Sequence, residues 1–263
     1  MTGIWAVIPA CNEEPRVAAA VNSARQGGAA RILVVDNGSM DRTGEAARDA
    51  GAMVLHFDAA LGPDLPRAAG AHLAVEHGAD LVVFIDGDMT GRLGWALAQL
   101  LDGCRRGAAL ALTDAFLGGI PGQGLAGEVT AFRRKFNETV GLYDQLGVAI
   151  MSHGPSAAGR AFLLSVGCRA LGKPPVAMAL ATRAGLPITV GCRLSHDDFG
   201  SPGRDAGHGL AMAETIIGDC LEGMAVFRGE KPQRSWQGRV YLGFDPCRRW
   251  DLLDRWLESG PGR

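Results

Sequence analysis

Asp86 and Asp88 stand one residue apart in the stretch FIDGDMTG (84–91), directly after an apolar run. Held about 5 Å apart, two carboxylates repel by roughly 3 kcal/mol at an effective dielectric of about 20, so a fold that fixes them side by side supplies a cation. Oxygen-only ligands suit Mg2+ or Mn2+. Such ions keep waters and bridge to phosphates, which points to a nucleotide diphosphate as the second half of the site. Asp-Gly is also a favoured hairpin turn, but the next residues argue against a hairpin. In TGRLGWALAQLL (90–101), Leu93, Ala96, Leu97, Leu100 and Leu101 recur at helical spacing, with Thr90 available as a cap.

These residues need elements that bring them together. Short β-rich runs occur at IWAVIP (4–9), RILVVD (31–36), MVLHF (53–57), LVVFID (81–86) and AALALT (108–113). Between them EPRVAAAVNSARQ (14–26), DRTGEAARDA (41–50), LPRAAGAHLAVEH (65–77) and RLGWALAQLLDGC (92–104) carry apolar residues at helical spacing. Pro15 falls early in its helix, where a missing amide hydrogen matters little. The alternation predicts an α/β fold, a mostly parallel sheet flanked by helices. Open sheets of this kind place ligands at the carboxyl ends of their strands. VIPACNEE (7–14) ends the first strand and VVDNGSMDRT (34–43) the second, so both set short polar or acidic side chains at the edge that carries Asp86 and Asp88. Ordinary capping would account for Asn12, Ser39 and Asp41, but it leaves Glu13, Asp36 and the aspartate pair unexplained together.

Beyond residue 116 the pattern loosens. The glycine-rich LGGIPGQGLAG (117–127) resists assignment to a regular element and reads as a mobile loop. Helical stretches at 128–146, 160–166 and 176–185, a strand PITVGCR (187–193) and a helix GLAMAETIIGDCL (209–221) complete an expected domain over 1–225, divided into halves 1–115 and 116–225. In the remaining tail, 226–263, the helix CRRWDLLDRWLES (247–259) puts Trp250, Leu253 and Leu257 on one face. That stripe is expected to pack on the domain or on a second copy of the chain, because its polar face mixes acid with base.

A length of 263 residues, 47% hydrophobic content and a net charge of −2 describe a chain able to bury a sizeable core, without the basic excess that would favour nucleic acid. Six cysteines lie far apart with no C-x-x-C pair, so neither a zinc knuckle nor a disulfide scaffold is indicated. No secretory signal opens the sequence, and no apolar run approaches the roughly 20 residues of a membrane span. A cytoplasmic location without a transmembrane segment is the expectation.

In this order and spacing, VIPACNEE, VVDNGSMDRT and FIDGDMT resemble the nucleotide-sugar half of family-2 glycosyltransferases with the GT-A fold, the Rossmann-like nucleotide-diphospho-sugar transferase architecture. The resemblance implies that Pro9, Glu13, Asp36 and Ser39 line a nucleoside pocket. It implies that Asp86 and Asp88 form the D-x-D that holds Mg2+ or Mn2+ and the diphosphate, and that Arg67, in LGPDLPRAAG (61–70), contacts the donor. RRKFNETVGLYDQLG (133–147), GPSAAGRAF (154–162) and AMALATRAGLPITV (177–190) follow the order seen in dolichyl-phosphate-sugar synthases. LAGEVTAFRR (125–134) and RLSHDDFGSPG (193–203) are similar to retaining glucosyl-3-phosphoglycerate synthases. In such enzymes a histidine beyond the last strand completes the metal shell, which implies His196 as a third ligand, with a solvent-facing loop histidine as its rival reading and His208 in reserve. The donor implied is a nucleotide-diphosphate sugar, and the acceptor is not named.

One departure concerns the base. Many inverting members carry Glu-Asp just before the helix that corresponds to VAMALATRAG (176–185), where this chain has Pro174 and Pro175. Proline takes no proton, so the base lies elsewhere, or configuration is retained, or transfer is impaired. His153, Asp197 and Asp198 are the substitutes, and the segments 117–127 and 193–203 are expected to close over the donor through His196 and Arg204. Two other readings stand beside transfer: a nucleotide-sugar-binding protein that lost its base, and a sugar-phosphate nucleotidylyltransferase, whose G-x-G-T-R-L start is absent where ACNEE (10–14) stands. A dinucleotide oxidoreductase is disfavoured, since no G-x-G-x-x-G follows the first strand.

Overall fold

A computed structural model describes residues 3–203 and 205–260, so Arg204 lies outside the described residues. The first half alternates strand and helix: β1 (Ile4–Ala10), α1 (Val17–Gln26), β2 (Arg31–Asn37), α2 (Thr43–Asp49), β3 (Met53–Phe57), α3 (Leu65–Glu76), β4 (Leu81–Phe84), α4 (Gly94–Arg105) and β5 (Leu110–Asp114). There follow α5 (Gly124–Thr139), α6 (Tyr143–Leu146), β6 (Ser156–Gly159), α7 (Arg160–Val166), α8 (Pro174–Arg183), β7 (Ile188–Arg193) and α9 (Ala206–Arg228). A small ribbon of β8 (Ser235–Trp236) and β9 (Arg239–Val240) leads to α10 (Trp250–Ser259).

Seven strands form one sheet in the order β3-β2-β1-β4-β6-β5-β7. All pairings are parallel except those of β6, which runs antiparallel to both β4 and β5. This is the mostly parallel α/β architecture the sequence predicts. β6 has no hydrophobic alternation to announce it: its four residues are Ser156, Ala157, Ala158 and Gly159. Its reversal matters for the site, because the start of β6, not its end, adjoins the carboxyl ends of its neighbours; Ser156 pairs with Phe84 and Leu112.

Successive strand residues point to opposite faces, so each strand feeds two cores. Trp5, Val7, Leu33, Val35, Val82, Phe84, Leu110 and Leu112 enter the larger core with α3, α5, α8 and α9. Ile4, Ala6, Ile8, Ile32, Val34, Val83 and Ala111 enter the smaller one with α1 and α4. Burial of a Val, Leu, Ile or Phe side chain contributes about 1.5–3 kcal/mol, which explains why the strands read as near-continuous apolar runs.

Three local expectations change. Pro15 lies in the turn before α1 instead of in its first turn. Thr90 does not cap α4; its hydroxyl donates to the Gly200 carbonyl at 2.7 Å. The final residues of the expected loop 117–127 open α5, where the Thr130 hydroxyl reaches back to the Pro121 carbonyl at 2.9 Å.

α9 crosses position 225, and the segment after it returns to the first half of the chain. Leu253 of α10 is fully buried in the larger core, Trp256 meets Phe57 and His72, and Arg169 stacks over Trp250 while gripping Asp254 through two hydrogen bonds of 2.7 and 3.0 Å. The apolar stripe of α10, Trp250, Leu253 and Leu257, is therefore packed on this chain's own larger core.

Candidate active site

The chain after β4 continues beside the end of β1, where the Gly87 amide donates to the Pro9 carbonyl at 2.9 Å, and then turns, with the Met89 amide donating to the Asp86 carbonyl at 3.1 Å. Asp86 thus stands at the strand edge with 38% of its side chain exposed. Arg67, from the first turn of α3, donates from Nη2 to Asp86 Oδ1 at 2.8 Å and from Nη1 to the Met151 carbonyl at 3.2 Å. Only 4% of Arg67 is exposed, and its buried Nε has no partner among the described residues. The Ser201 hydroxyl lies 3.5 Å from Asp88 Oδ1, so the segment after β7 reaches the aspartate pair.

The other end of this edge is built by the loops after β1 and β2. Asp36, buried at the end of β2, accepts from the Ser39 amide at 3.2 Å and faces His56 Nδ1 at 2.9 Å. Neither α1 nor α2 has a side-chain cap at its N-terminus; Asn12, Ser39 and Asp41 instead staple the two loops. The Asn12 amide donates to Ser39 Oγ at 3.0 Å, the Met40 amide to Asn12 Oδ1 at 2.8 Å and the Glu14 amide to Asp41 Oδ2 at 3.1 Å. Glu13 is buried, receives Arg16, and donates its amide to Thr43 at 2.7 Å. Pro9, Glu13, Asp36, Ser39, Arg67, Asp86 and Asp88 therefore belong to one continuous edge.

A second group lies where β6 begins. Arg133 of α5, only 4% exposed, places Nη1 2.9 Å from His153 Nδ1 and its guanidinium over Phe116. Burial lowers Arg133 to about 10, which leaves it charged at neutral pH. Its Nε is buried without a partner among the described residues, as is the Ser152 hydroxyl. The strip 151–153 thus runs between two buried guanidinium groups, Arg67 at its start and Arg133 at its end. Desolvation, then Arg133 and His196, hold the His153 pKa well below its ordinary value, so the ring is neutral and a weak proton acceptor.

His196 stacks on His153 at 5.7 Å and packs against Phe199. It opens the 3₁₀ turn His196–Phe199, closed by a capping box in which Asp198 accepts from the Ser195 amide at 2.7 Å and hydroxyl at 2.9 Å. Asp198 is thereby engaged, while Asp197 is exposed. The turn docks on the segment after the aspartates, the Gly91 amide donating to the Phe199 carbonyl at 2.9 Å; a Cβ at Gly91 would collide with the Asp198 carbonyl. His208 stands apart, in the first turn of α9 against Phe244.

Among the described residues no three His, Cys, Asp or Glu side chains gather as a metal cluster, so His196 is not assembled with Asp86 and Asp88. The donor chemistry still fits a hard divalent ion of the kind that takes one or two carboxylates from protein and the remainder from phosphate oxygens and water. Burial pushes the Cys104, Cys168 and Cys192 thiols up to about 11, which keeps them protonated at neutral pH.

Sequence comparison agrees with this geometry. The family model for Glycosyl transferase family 2 matches residues 5–162, and the chain belongs to that family; it is a glycosyltransferase. No curated protein matches significantly. Glucosyl-3-phosphoglycerate synthase from Mycobacterium tuberculosis, solved with Mn2+, UDP and phosphoglyceric acid, is 22% identical with a TM-score of 0.63, over 85% of this chain and 78% of that one. The same enzyme with Mn2+, UDP-glucose and phosphoglyceric acid gives 21% and 0.61 over 85% and 80%. Mannosyl-3-phosphoglycerate synthase from Rubrobacter xylanophilus gives 17% and 0.65 over 90% and 78%. At these identities the likeness establishes the fold, which is GT-A. No described helix is long and apolar enough to cross a membrane.

Proposed function

We propose that this chain is a cytoplasmic, metal-dependent transferase that moves a sugar from a nucleotide-diphosphate sugar to an acceptor oxygen. The observation that carries the reading is the single edge on which Asp36, Arg67, Asp86 and Asp88 meet. Asp36 would take the nucleoside, with Pro9, Glu13 and Ser39 around it. Asp86 and Asp88 would hold Mg2+ or Mn2+ against the diphosphate. The ion, when bound, supplies charge for the departing diphosphate. Arg67 adds fixed positive charge on the same side, in a site where buried dipoles and charges need no reorganisation.

For the acceptor we favour a molecule with a carboxylate or phosphate. The support is Arg133, a buried cation that meets no carboxylate among the described residues, beside the unpartnered Ser152 hydroxyl. The acceptor of the mycobacterial synthase, phosphoglyceric acid, is of this class. Retention of configuration fits the same reading: Pro174 and Pro175 are buried at the start of α8, Asp198 is committed to its turn, and His153 is a poor base, which leaves exposed Asp197 as the one remaining substitute.

Incubation of the protein with UDP-glucose, UDP-galactose, GDP-mannose and GDP-glucose, each with Mn2+ or chelator, tests the reading. Metal-dependent release of nucleotide diphosphate from one donor, accelerated by an anionic acceptor, is the expected result; tight binding with no turnover would instead mark a binding module. Proton NMR of the product reports its anomeric configuration.

A further inference from the structure

The charges behind the site form a continuous buried network that ends in the C-terminal segment. Arg67 lies 3.8 Å from Asp64, and Asp64 lies 3.2 Å from Arg248. Arg248, whose side chain is wholly buried, also binds Asp219 at 2.6 Å and Asp245 at 2.8 Å. Asp219 binds Arg234 at 2.6 Å, and Lys173 joins Glu222 at 2.6 Å and Asp245 at 3.1 Å. The backbone of the segment is seated on the turn before α3: the Arg249 amide donates to the Leu61 carbonyl at 2.8 Å, and Arg248 Nε to the Pro63 carbonyl at 3.3 Å. A Cβ at Gly62, where φ is 92°, would strike the Cys247 carbonyl, so the contact is too close for any other residue. Asp64 itself has φ 63°, a conformation Asp and Asn tolerate, and its side chain makes no cap bond to α3. Its carboxylate faces the two guanidinium groups instead.

We infer that Asp64 and Arg248 are positioning residues for the donor site, setting how much of the Arg67 charge Asp86 receives. The inference rests on reading Asp86 and Asp88 as the metal and diphosphate site. Arg67 is shared between two carboxylates, Asp64 at 3.8 Å and Asp86 at 2.8 Å. While Asp64 draws on it, Asp86 keeps part of its negative charge for a cation. Arg248 in turn limits that draw, because it compensates Asp64 from the far side. Changes of charge along the row therefore alternate in effect: loss of the Asp64 charge lets Arg67 neutralise Asp86 and weakens metal binding, whereas loss of the Arg248 charge strengthens the pull of Asp64 and favours it. The family model stops at residue 162, so Arg248 lies outside the matched segment.

Calorimetric titration of Mn2+ with UDP, and with GDP in parallel, tests this beside the melting temperature of the unliganded protein. Asp64→Asn keeps a residue suited to the backbone and should weaken Mn2+-nucleotide binding about fivefold with little change in melting. Arg248→Gln should move affinity the other way, up by about threefold, and Arg248→Lys should stay near the parent. In the Arg67→Gln background the Asp64→Asn change should have no further effect. Parental affinity in Asp64→Asn, an equal loss in both backgrounds, or a loss in Arg248→Gln as well would overturn the inference; should Arg248→Gln not fold, the two Asp64→Asn comparisons still decide. Asp88→Asn serves as the reference: if it binds Mn2+ with nucleotide as the parent does, the donor-site reading has failed, whereas its loss alongside an unaltered Asp64→Asn removes only the positioning role.

Discussion

His153 Nδ1 lies 2.9 Å from Arg133 Nη1, so the imidazole accepts a hydrogen bond there and carries its own proton on Nε2. Desolvation, Arg133 and His196 hold its pKa well below the ordinary 6.5. In the unfolded chain the ring takes a proton near 6.5, while in the folded protein it does not. The stability from the neutral ring is thus complete above that pH and is lost as pH falls from there toward the folded value. Urea unfolding between about pH 8 and about pH 5 should show His153→Gln losing less stability on acidification than the parent. Parallel curves would mean that the folded ring protonates freely.

Asp88→Asn should lower Mn2+-dependent binding of nucleotide diphosphate by about tenfold or more, since one of two oxygen donors becomes neutral. Removal of one of two neighbouring acids leaves the apo fold unharmed or slightly more stable. Calorimetry and melting of the same preparation check both halves. A large loss of apo stability with unaltered metal affinity would sink the assignment.

Asp36→Ala should weaken nucleotide and nucleotide-sugar to the same degree, by about tenfold, as expected for loss of a hydrogen bond to a charged acceptor. Preference between sugars should survive, because Asp36 lies at the nucleoside end. Equal affinity in mutant and parent would show that the carboxylate only receives Ser39 and His56.

The segments 117–123 and 193–203 are joined by a hydrogen bond of 3.1 Å from the Leu117 amide to the Leu194 carbonyl, so they should close as one body over bound donor. Limited proteolysis should cut both in the unliganded protein and be suppressed by UDP with Mn2+ but not by UDP alone. His196→Ala should remove much of that protection. Protection independent of metal, or retained in the mutant, would make His196 a bystander.

The first half of the fold was legible because each of its strands is apolar and each helix periodic, down to the edge that collects Asp36, Asp86 and Asp88. β6 escaped because a strand of Ser156, Ala157, Ala158 and Gly159 has neither branched side chains nor alternation. Arg133 was hidden in a polar helical stretch whose buried face appears only once α9 packs on it. Asp64 and Arg248 stand 184 residues apart, and nothing local to either marks a partner. A proline at the second position of α3 and a glycine at 62 were visible, yet neither reveals what lies against them.

The seating of the C-terminal segment on the turn before α3 bears on inactivation by heat. That segment is held by ion pairs and one helix face, while the strands are held by two cores, so it belongs to the part of the molecule that opens first. Its release would take Arg248 away from Asp64 with the sheet still intact. Mn2+-dependent donor affinity should therefore shift in the direction of Arg248→Gln, upward, several degrees below the main melting transition, and return on cooling, since the strands would never have parted.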